Sequence, residues 1–307
     1  MERALAGGRR GKHKAATGVS CALPWRAFEK GLIFVIATVL AGCAVVPREA
    51  RLAVTPGAPR PAAAHIGNYQ DAVDAIVSVM TEDLRIPVPR TSFTLYFYPN
   101  REAFAHGLTE KFKTDPALAR EIAKSALGRI RQTNEGKRLL VNEEILSDLS
   151  WPARIHVLAH ELTHIAQYEL AHGRLAGDLW FIEGFADWVA YRVLEALGLD
   201  TFGRRKHQKI AQVKGERDHL PLPPLSQLVT VQDWDALSAR YGSAIPYAQA
   251  FLATDLLIQR HGVSSVIEYF RRVGHPRDRL ENFQAAFGEE LVAFEREFTA
   301  YVEQLLE

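Results

Sequence analysis

The stretch AHELTHIAQY, residues 159–168, contains the pattern H-E-x-x-H. On a helix, the two histidines of this pattern, His160 and His164, are separated by about 40° around the axis and about 6 Å along it. Both imidazoles therefore leave the helix on one face and can converge on one metal ion. Glu161 lies about 100° from His160, so its carboxylate would stand beside the ion, where a base is needed. The alternative is a pair of hydrogen-bonded histidines in an ordinary buried helix.

A third metal ligand is expected from a second helix, because catalytic zinc sites use three protein ligands and leave one position open. The stretch DLWFIEGFADWVAYRV, residues 178–193, has apolar residues at helical spacing. Glu183 and Asp187 are four residues apart and share a different face of this helix. Glu183 can complete a His-His-Glu site, and Asp187 can accept a hydrogen bond from the second nitrogen of a ligand imidazole. Gly184 would allow a close approach of the helix that carries the histidines.

Composition excludes several classes of protein and of site. The chain has 307 residues, of which 48% are apolar, enough for a sizeable core. Its formal net charge is +1, with no concentrated basic segment in the body of the chain, so nucleic acid is not an expected partner. Its two cysteines are Cys21 and Cys43. Metal ligands after Cys43 must therefore be His, Asp or Glu.

The N-terminus has the features of an export signal. A basic segment runs into KGLIFVIATVLAGC, residues 30–43, an apolar run too short to span a membrane comfortably. Its last four residues, Leu40-Ala41-Gly42-Cys43, resemble the lipobox of bacterial lipoproteins. The resemblance implies that residues 1–42 are a signal peptide and that Cys43 is lipidated. An uncleaved anchor with an incidental cysteine is the alternative.

Lipidation of Cys43 would place the protein in the bacterial cell envelope, anchored to a membrane and facing the periplasm. The next residue is Ala44, not the Asp that retains lipoproteins in the inner membrane, so the outer membrane is favoured. Residues 43–64 are rich in proline and alanine and show no sustained period, which predicts a tether.

Residues 65–307 are predicted to form one α+β domain, with a small N-terminal mixed sheet followed by a mostly helical part. The residue patterns predict helices at 66–84, 101–112 and 115–126, and strands at 91–99 and on both sides of Asn134-Glu135-Gly136. The segment KRLLVN, residues 137–142, could be the edge of an active-site sheet, where a peptide can add as a strand. After it we expect helices that begin near Ser150 and Asp178, a break at 220–228, and helices at 245–261, 263–273 and 289–306.

Residues 160–187 resemble the gluzincin metallopeptidases of the thermolysin and M1-aminopeptidase type. The likeness rests on eighteen residues between His164 and Glu183 and on WFIEGFAD, residues 180–187. The C-terminal stretches 247–262 and 283–302 look like small bacterial peptidase-MA-like proteins. The resemblance implies a zincin-like fold, one Zn²⁺ bound by His160, His164 and Glu183, and Glu161 as general base. It implies a peptidase acting on peptide or protein substrates.

Two sequence features bear on the type of peptidase and on the number of zinc ligands. The Gly-x-Met-x-Asn motif of M1 aminopeptidases does not precede His160, so the resemblance favours an endopeptidase over an aminopeptidase. His156 extends the histidine row by one turn, and as a fourth ligand it would close the site to substrate. We therefore expect His156 to be packed or hydrogen-bonded.

Tyr247 is the candidate donor for the tetrahedral oxyanion, because it lies about where M1-type enzymes place a tyrosine; a core or surface tyrosine is the alternative. Two other functions remain open at this point. One is a non-catalytic envelope lipoprotein whose zinc site is structural or vestigial and which binds a partner. The other is zinc-dependent hydrolysis of a non-peptide amide, such as a bond of the cell wall.

Overall fold

The protein is described by a computed structural model that covers residues 49–54, 57, 60–61, 66–87, 92–133, 136–174, 177–217, 222–274 and 278–306. The predicted signal peptide, 1–42, and Cys43 lie outside these residues, as does much of the predicted tether. The predicted α+β class is confirmed, with a four-stranded sheet followed by helices. Among the helices described, none combines the length and apolar character needed to cross a membrane.

The sheet has the strand order β1-β2-β4-β3. Its strands are β1 (Ala50–Val54), β2 (Phe93–Tyr98), β3 (Gly128–Thr133) and β4 (Gly136–Asn142). Strand β2 is antiparallel to β1 and parallel to β4, and β3 and β4 form an antiparallel hairpin. The sheet is therefore mixed, as expected from the sequence.

The tether predicted over 43–64 is wrong for Ala50–Val54, which pair with the whole of β2 as strand β1. Val54 is buried and Leu52 partly buried, whereas Arg51 and Ala53 are exposed. This alternation spans only five residues between prolines, too few for the period to stand out in the sequence. Pairing with β2 supplies the hydrogen bonds that the segment lacks by itself.

The prediction that KRLLVN forms the sheet edge is also wrong. This segment belongs to β4, which lies between β2 and β3. Leu95 of β2 is opposite Leu139 of β4, and Ile130 of β3 is opposite Leu139 on the other side. Strand β3 is therefore the edge strand on this side of the sheet, because β4 pairs with β2 on one side and with β3 on the other.

Helices pack on both faces of the sheet. They are α1 (Tyr69–Ser78), α2 (Arg101–Phe112), α3 (Pro116–Ala123), α4 (Glu143–Ser147), α5 (Trp151–Leu170), α6 (Leu179–Ala196), α7 (Phe202–Arg217), α8 (Val231–Tyr241), α9 (Ala244–Val273), α10 (Arg279–Phe287) and α11 (Leu291–Leu306). A π-helical turn, Val79–Asp83, continues α1. The main core joins one sheet face to α1, α5, α6 and α9, and a smaller cluster lies between the other face and helices α2 and α3.

Several boundaries differ from the sequence prediction for identifiable reasons. The predicted helices 245–261 and 263–273 are the two halves of α9, interrupted at Gly262, whose φ is 76°. Asp178 precedes α6, but its carboxylate pairs with Arg279 at 3.0 Å and caps no backbone N–H of the helix. Helices α7, α8 and α10 were not predicted.

Helix α6 lies between α5 and α9, and Gly184 sets one of these two contacts. A Cβ atom at Gly184 would overlap the carbonyl oxygen of Ala250 and the hydroxyl of Thr254, both on α9. The close approach expected from this glycine is therefore to α9, and not to α5, which carries His160 and His164. Packed in this way, α6 turns Glu183 and Asp187 toward α5.

Candidate metal centre

Helices α5 and α6 bring three possible metal ligands together in the core. His160 Nε2 lies 3.1 Å from His164 Nε2 and 3.2 Å from Glu183 Oε2. The distance from His164 Nε2 to Glu183 Oε1 is 3.6 Å. All three side chains are buried. Among the described residues, these are the three whose ligand atoms converge closely enough to share one ion.

The separations between these atoms fit a tetrahedral zinc site. Zn²⁺ binds histidine nitrogens and carboxylate oxygens at about 2.0–2.1 Å, which places tetrahedral donors about 3.3 Å apart. The observed distances of 3.1, 3.2 and 3.6 Å lie around that value. Two imidazoles and one carboxylate are also a donor set found in catalytic zinc sites, where the fourth coordination position stays open.

Each histidine is oriented by a partner on its other nitrogen. His160 Nδ1 lies 3.0 Å from Asp187 Oδ1, and a carboxylate can only accept, so Nδ1 carries the proton. Gln167 Nε2 donates to the carbonyl of Ile182 at 2.9 Å, which directs its Oε1 to His164 Nδ1 at 2.7 Å. Both Nε2 atoms therefore point into the space that they share with Glu183.

The environment of His160 favours positive charge between these groups. Burial by itself lowers the pKa of His160, but hydrogen bonds with Asp187 and Glu183 outweigh it and raise the pKa to about 10. Burial lowers the pKa of His164, which favours its neutral form. A cluster of acceptors that binds a proton this strongly is suited to a metal cation in the same place.

Asp187 is in turn held by Lys209, from α7. Lys209 Nζ donates to Asp187 Oδ2 at 3.0 Å, and both side chains are buried. Burial by itself would raise the pKa of Asp187, but Lys209, His156 and His160 together hold it well below its usual range. Asp187 is therefore a carboxylate that links a lysine to a candidate ligand.

Glu161, on α5, lies next to Gly128, the first residue of β3. A Cβ atom at Gly128 would be 3.2 Å from Glu161 Oε1, so this glycine leaves room for the carboxylate. Burial raises the pKa of Glu161 to about 7, partly offset by the positive charges of His160 and Arg129. A carboxyl with a pKa near neutrality can both take up and release a proton.

The buried charges in this region also favour a divalent cation. Glu161, Glu183 and Asp187 contribute three carboxylates, and Lys209 contributes one ammonium group. Without an ion, part of this negative charge is offset by the proton that His160 binds with a pKa of about 10 and by Arg129 near Glu161. Buried charge of this size is costly unless it is compensated, and one divalent ion would compensate it.

His156 lies outside the group of three convergent ligands, in the packed position expected from the sequence. Its Nε2 is 3.4 Å from Asp187 Oδ1, and its ring stacks on Tyr191 with 4.8 Å between centroids. Burial lowers the pKa of His156, so the neutral ring is favoured.

Tyr247 is buried on α9, on the side of the centre where Lys209 lies. Its ring packs edge-on against Trp234, with 4.7 Å between centroids, and Lys209 Nζ lies 6.0 Å from its centroid. Its role as the oxyanion donor stays a prediction.

Two residues of the centre were not predicted from sequence. Gln167, three residues after His164, has a signal in hindsight, because that spacing lets one side chain reach the other on a helix. Lys209 has no such signal in the sequence. It lies on a different helix from Asp187, and their contact depends on how α6 and α7 pack.

Comparisons with known proteins assign no function to this chain. No family model matches the chain, and no solved structure does. The chain is 27% identical over 165 residues to the uncharacterized protein YhcO of Bacillus subtilis. The aligned part is 53% of this chain and 45% of YhcO, so the chain spans less than half the length of that relative.

Proposed function

We propose that this protein is a zinc-dependent metallopeptidase with a zincin-like fold, which hydrolyses peptide bonds in the bacterial cell envelope. The observation that carries the proposal is the convergence of His160, His164 and Glu183 at separations suited to tetrahedral zinc. Glu161 is close enough to His160 and Glu183 for their charges to act on its pKa. The lipid anchor at Cys43, facing the periplasm and with the outer membrane favoured, is part of the proposal and rests on the N-terminal sequence alone.

His160, His164 and Glu183 would hold the ion. When bound, Zn²⁺ would supply Lewis acidity, which polarises a carbonyl group and lets water lose a proton near neutral pH. Asp187 and Gln167 keep the two imidazoles in the ligating tautomer and orientation. Glu161 accepts the proton of the attacking water and then delivers it to the leaving amine, for which a pKa of about 7 is suitable.

The edge strand β3 supports a peptide as the substrate. Strand β3 pairs with β4 on one side and begins at Gly128, next to the carboxylate of Glu161. An extended peptide can add to such an edge through backbone hydrogen bonds. Binding of this kind holds the peptide by its backbone and needs neither chain end, which favours an endopeptidase.

The competing function is a non-catalytic lipoprotein with a structural or vestigial zinc site. A structural site is closed by four protein ligands, and the candidate for the fourth, His156, packs against Tyr191 and Asp187. A structural site also has no use for a buried Glu161. Both observations favour the catalytic proposal.

The test combines metal content with hydrolysis. The purified full chain should bind one zinc ion and cleave an unfolded protein such as casein. Glu161→Gln should keep the zinc and lose about 100-fold or more of the activity, because the base is removed and the ligands are not. Glu183→Gln should lose both.

Glu102→Gln, an exposed change on α2, is the control and should match the wild type in both measurements. Wild-type protein that binds far less than one zinc per chain would overturn the proposal. So would a Glu161→Gln variant as active as the wild type.

A further inference from the structure

The outer edge of β3 presents backbone groups at alternate residues. Asn142 N donates to Leu127 O at 2.8 Å, just before β3, and the register pairs Gly128 with Val141. Since hydrogen-bonded pairs alternate in an antiparallel ladder, the backbones of Arg129 and Arg131 are directed toward β4. Those of Gly128, Ile130 and Gln132 are directed away from it, to the side on which no described strand pairs with β3.

The side chains of β3 also divide into two kinds. Ile130 is buried in the main core. Arg129 and Arg131 lie on the opposite face, and Arg138 of β4 is directly opposite Arg131 in the register. We call the surface formed by Arg129, Arg131 and Arg138 the arginine face. Arg131 is exposed, and one of its guanidinium nitrogens donates to the carbonyl of Phe112 at the end of α2.

A peptide added along β3 would place alternate side chains against the arginine face. Directly opposed side chains on one face of a sheet are about 4.5–5.5 Å apart at Cβ, within reach of a guanidinium group. Guanidinium groups bind carboxylates through paired, charge-assisted hydrogen bonds, whereas a lysine or arginine in the same position would be repelled. Arg129 and Arg131 are one and three residues from Gly128, which lies beside Glu161.

We infer that the substrates are acidic peptides, with Asp or Glu one and three residues from the position that pairs with Gly128. The inference rests on the proposed function, since it assigns a substrate class to the same site. Arg131, exposed at the edge, is the residue expected to determine this preference.

The test uses peptides that differ only in charge. A fluorogenic peptide of Ala and Gly carries two Glu residues at positions i and i+2, and the pair is moved along the chain; matched peptides carry Gln or Lys. With zinc-loaded full-length protein, kcat/KM should be at least about tenfold higher for the best Glu peptide than for its Gln counterpart, and lowest for Lys. Arg131→Gln should reduce the preference for Glu over Gln, and Arg131→Glu should reduce it further, because only Arg129 then favours the acidic peptide. Arg120→Glu, an exposed change on α3, should leave it unchanged.

A binding measurement separates this inference from the proposed function. The Glu161→Gln variant should bind the labelled Glu peptide at least about tenfold more tightly than the Gln peptide, by fluorescence anisotropy at low salt. Equal kcat/KM and equal binding for Glu and Gln peptides would overturn the inference and leave the peptidase proposal standing. Charge-selective binding without hydrolysis of any peptide would support the inference and count against the peptidase.

Discussion

Glu161, Glu183 and Asp187 are buried carboxyls within one cluster, yet their surroundings give them different properties. Asp187 has Lys209 and two histidines as partners, and its pKa is held well below the usual range. For Glu161, burial outweighs the charges of His160 and Arg129 and raises the pKa to about 7. The same chemical group thus serves as a fixed charge in one position and as a proton carrier in the other.

Replacement of Glu161 by Gln should change the pH dependence of stability in chelator-treated protein. The pKa of Glu161 rises from 4.5 to about 7 on folding, so the folded state binds more protons than the unfolded state between these values. The contribution of Glu161 to wild-type stability therefore falls as pH rises through this window, by up to about 3 kcal/mol. Glu161→Gln carries no such cost and should be more stable by up to that amount at about pH 8, with no advantage near about pH 4.

Urea unfolding in EDTA across this pH range measures the difference. Glu102→Gln, at an exposed position, should stay within about 0.5 kcal/mol of the wild type at each pH. A Glu161→Gln advantage that does not vary with pH would show that the gain does not come from ionisation.

At the scale of elements, the centre depends on three helices that are adjacent in the chain. Helix α5 carries two ligands and the base, α6 carries the third ligand and Asp187, and α7 contributes Lys209. Helix α7 also carries Lys206, which pairs with Asp255 of α9 at 2.7 Å. One helix therefore supplies a lysine to the centre and a similar lysine to a carboxylate elsewhere.

Lys209→Met should weaken zinc binding, since Asp187 would lose the ion pair that keeps its carboxylate on His160. Loss of a residue that supports a ligand from outside typically costs about 10–100-fold in metal affinity. Competition with a chromophoric chelator measures this affinity directly. Lys206→Met is the matched control, because it removes an ion pair from the same helix and should leave zinc affinity unchanged. Equal affinity in both variants would mean that Lys209 contributes only to folding.

At the scale of the whole molecule, the main core joins the sheet to the helices that carry the centre. Strand β1 is part of that core through Val54, which is 1% exposed. The segment expected to be a tether therefore contributes to the same core as the helices that carry the centre.

Val54→Ala should destabilise the full chain by about 2 kcal/mol, because two buried methyl groups are lost and the cavity closes only partly. Val292→Ala is the control, since Val292 is 60% exposed and the change should stay within about 0.5 kcal/mol. Urea unfolding of the three proteins provides the comparison. If Val54→Ala had no effect, residues 50–54 would have to be treated as a tether after all.

Much of the helical part could be predicted from sequence because its signals are local. Helical spacing of apolar residues located α1, α5, α6 and α9, and Asp115 followed by Pro116 marked the start of α3. Strand order could not be predicted, since it depends on which strands pair over long separations in the chain. For this reason the sequence pattern does not reveal β1 and does not show that β4 is an inner strand.

By itself, the sequence determined that His160, Glu161 and His164 share one helix, and that Glu183 and Asp187 share another. Those relations follow from the helical repeat, which is the same in any helix. Only the tertiary structure decided that Glu183 faces the two histidines, that Lys209 holds Asp187, and that β3 ends beside Glu161. These contacts join residues far apart in the chain, and close packing of the helices and the sheet, with Gly184 against α9, brings them together.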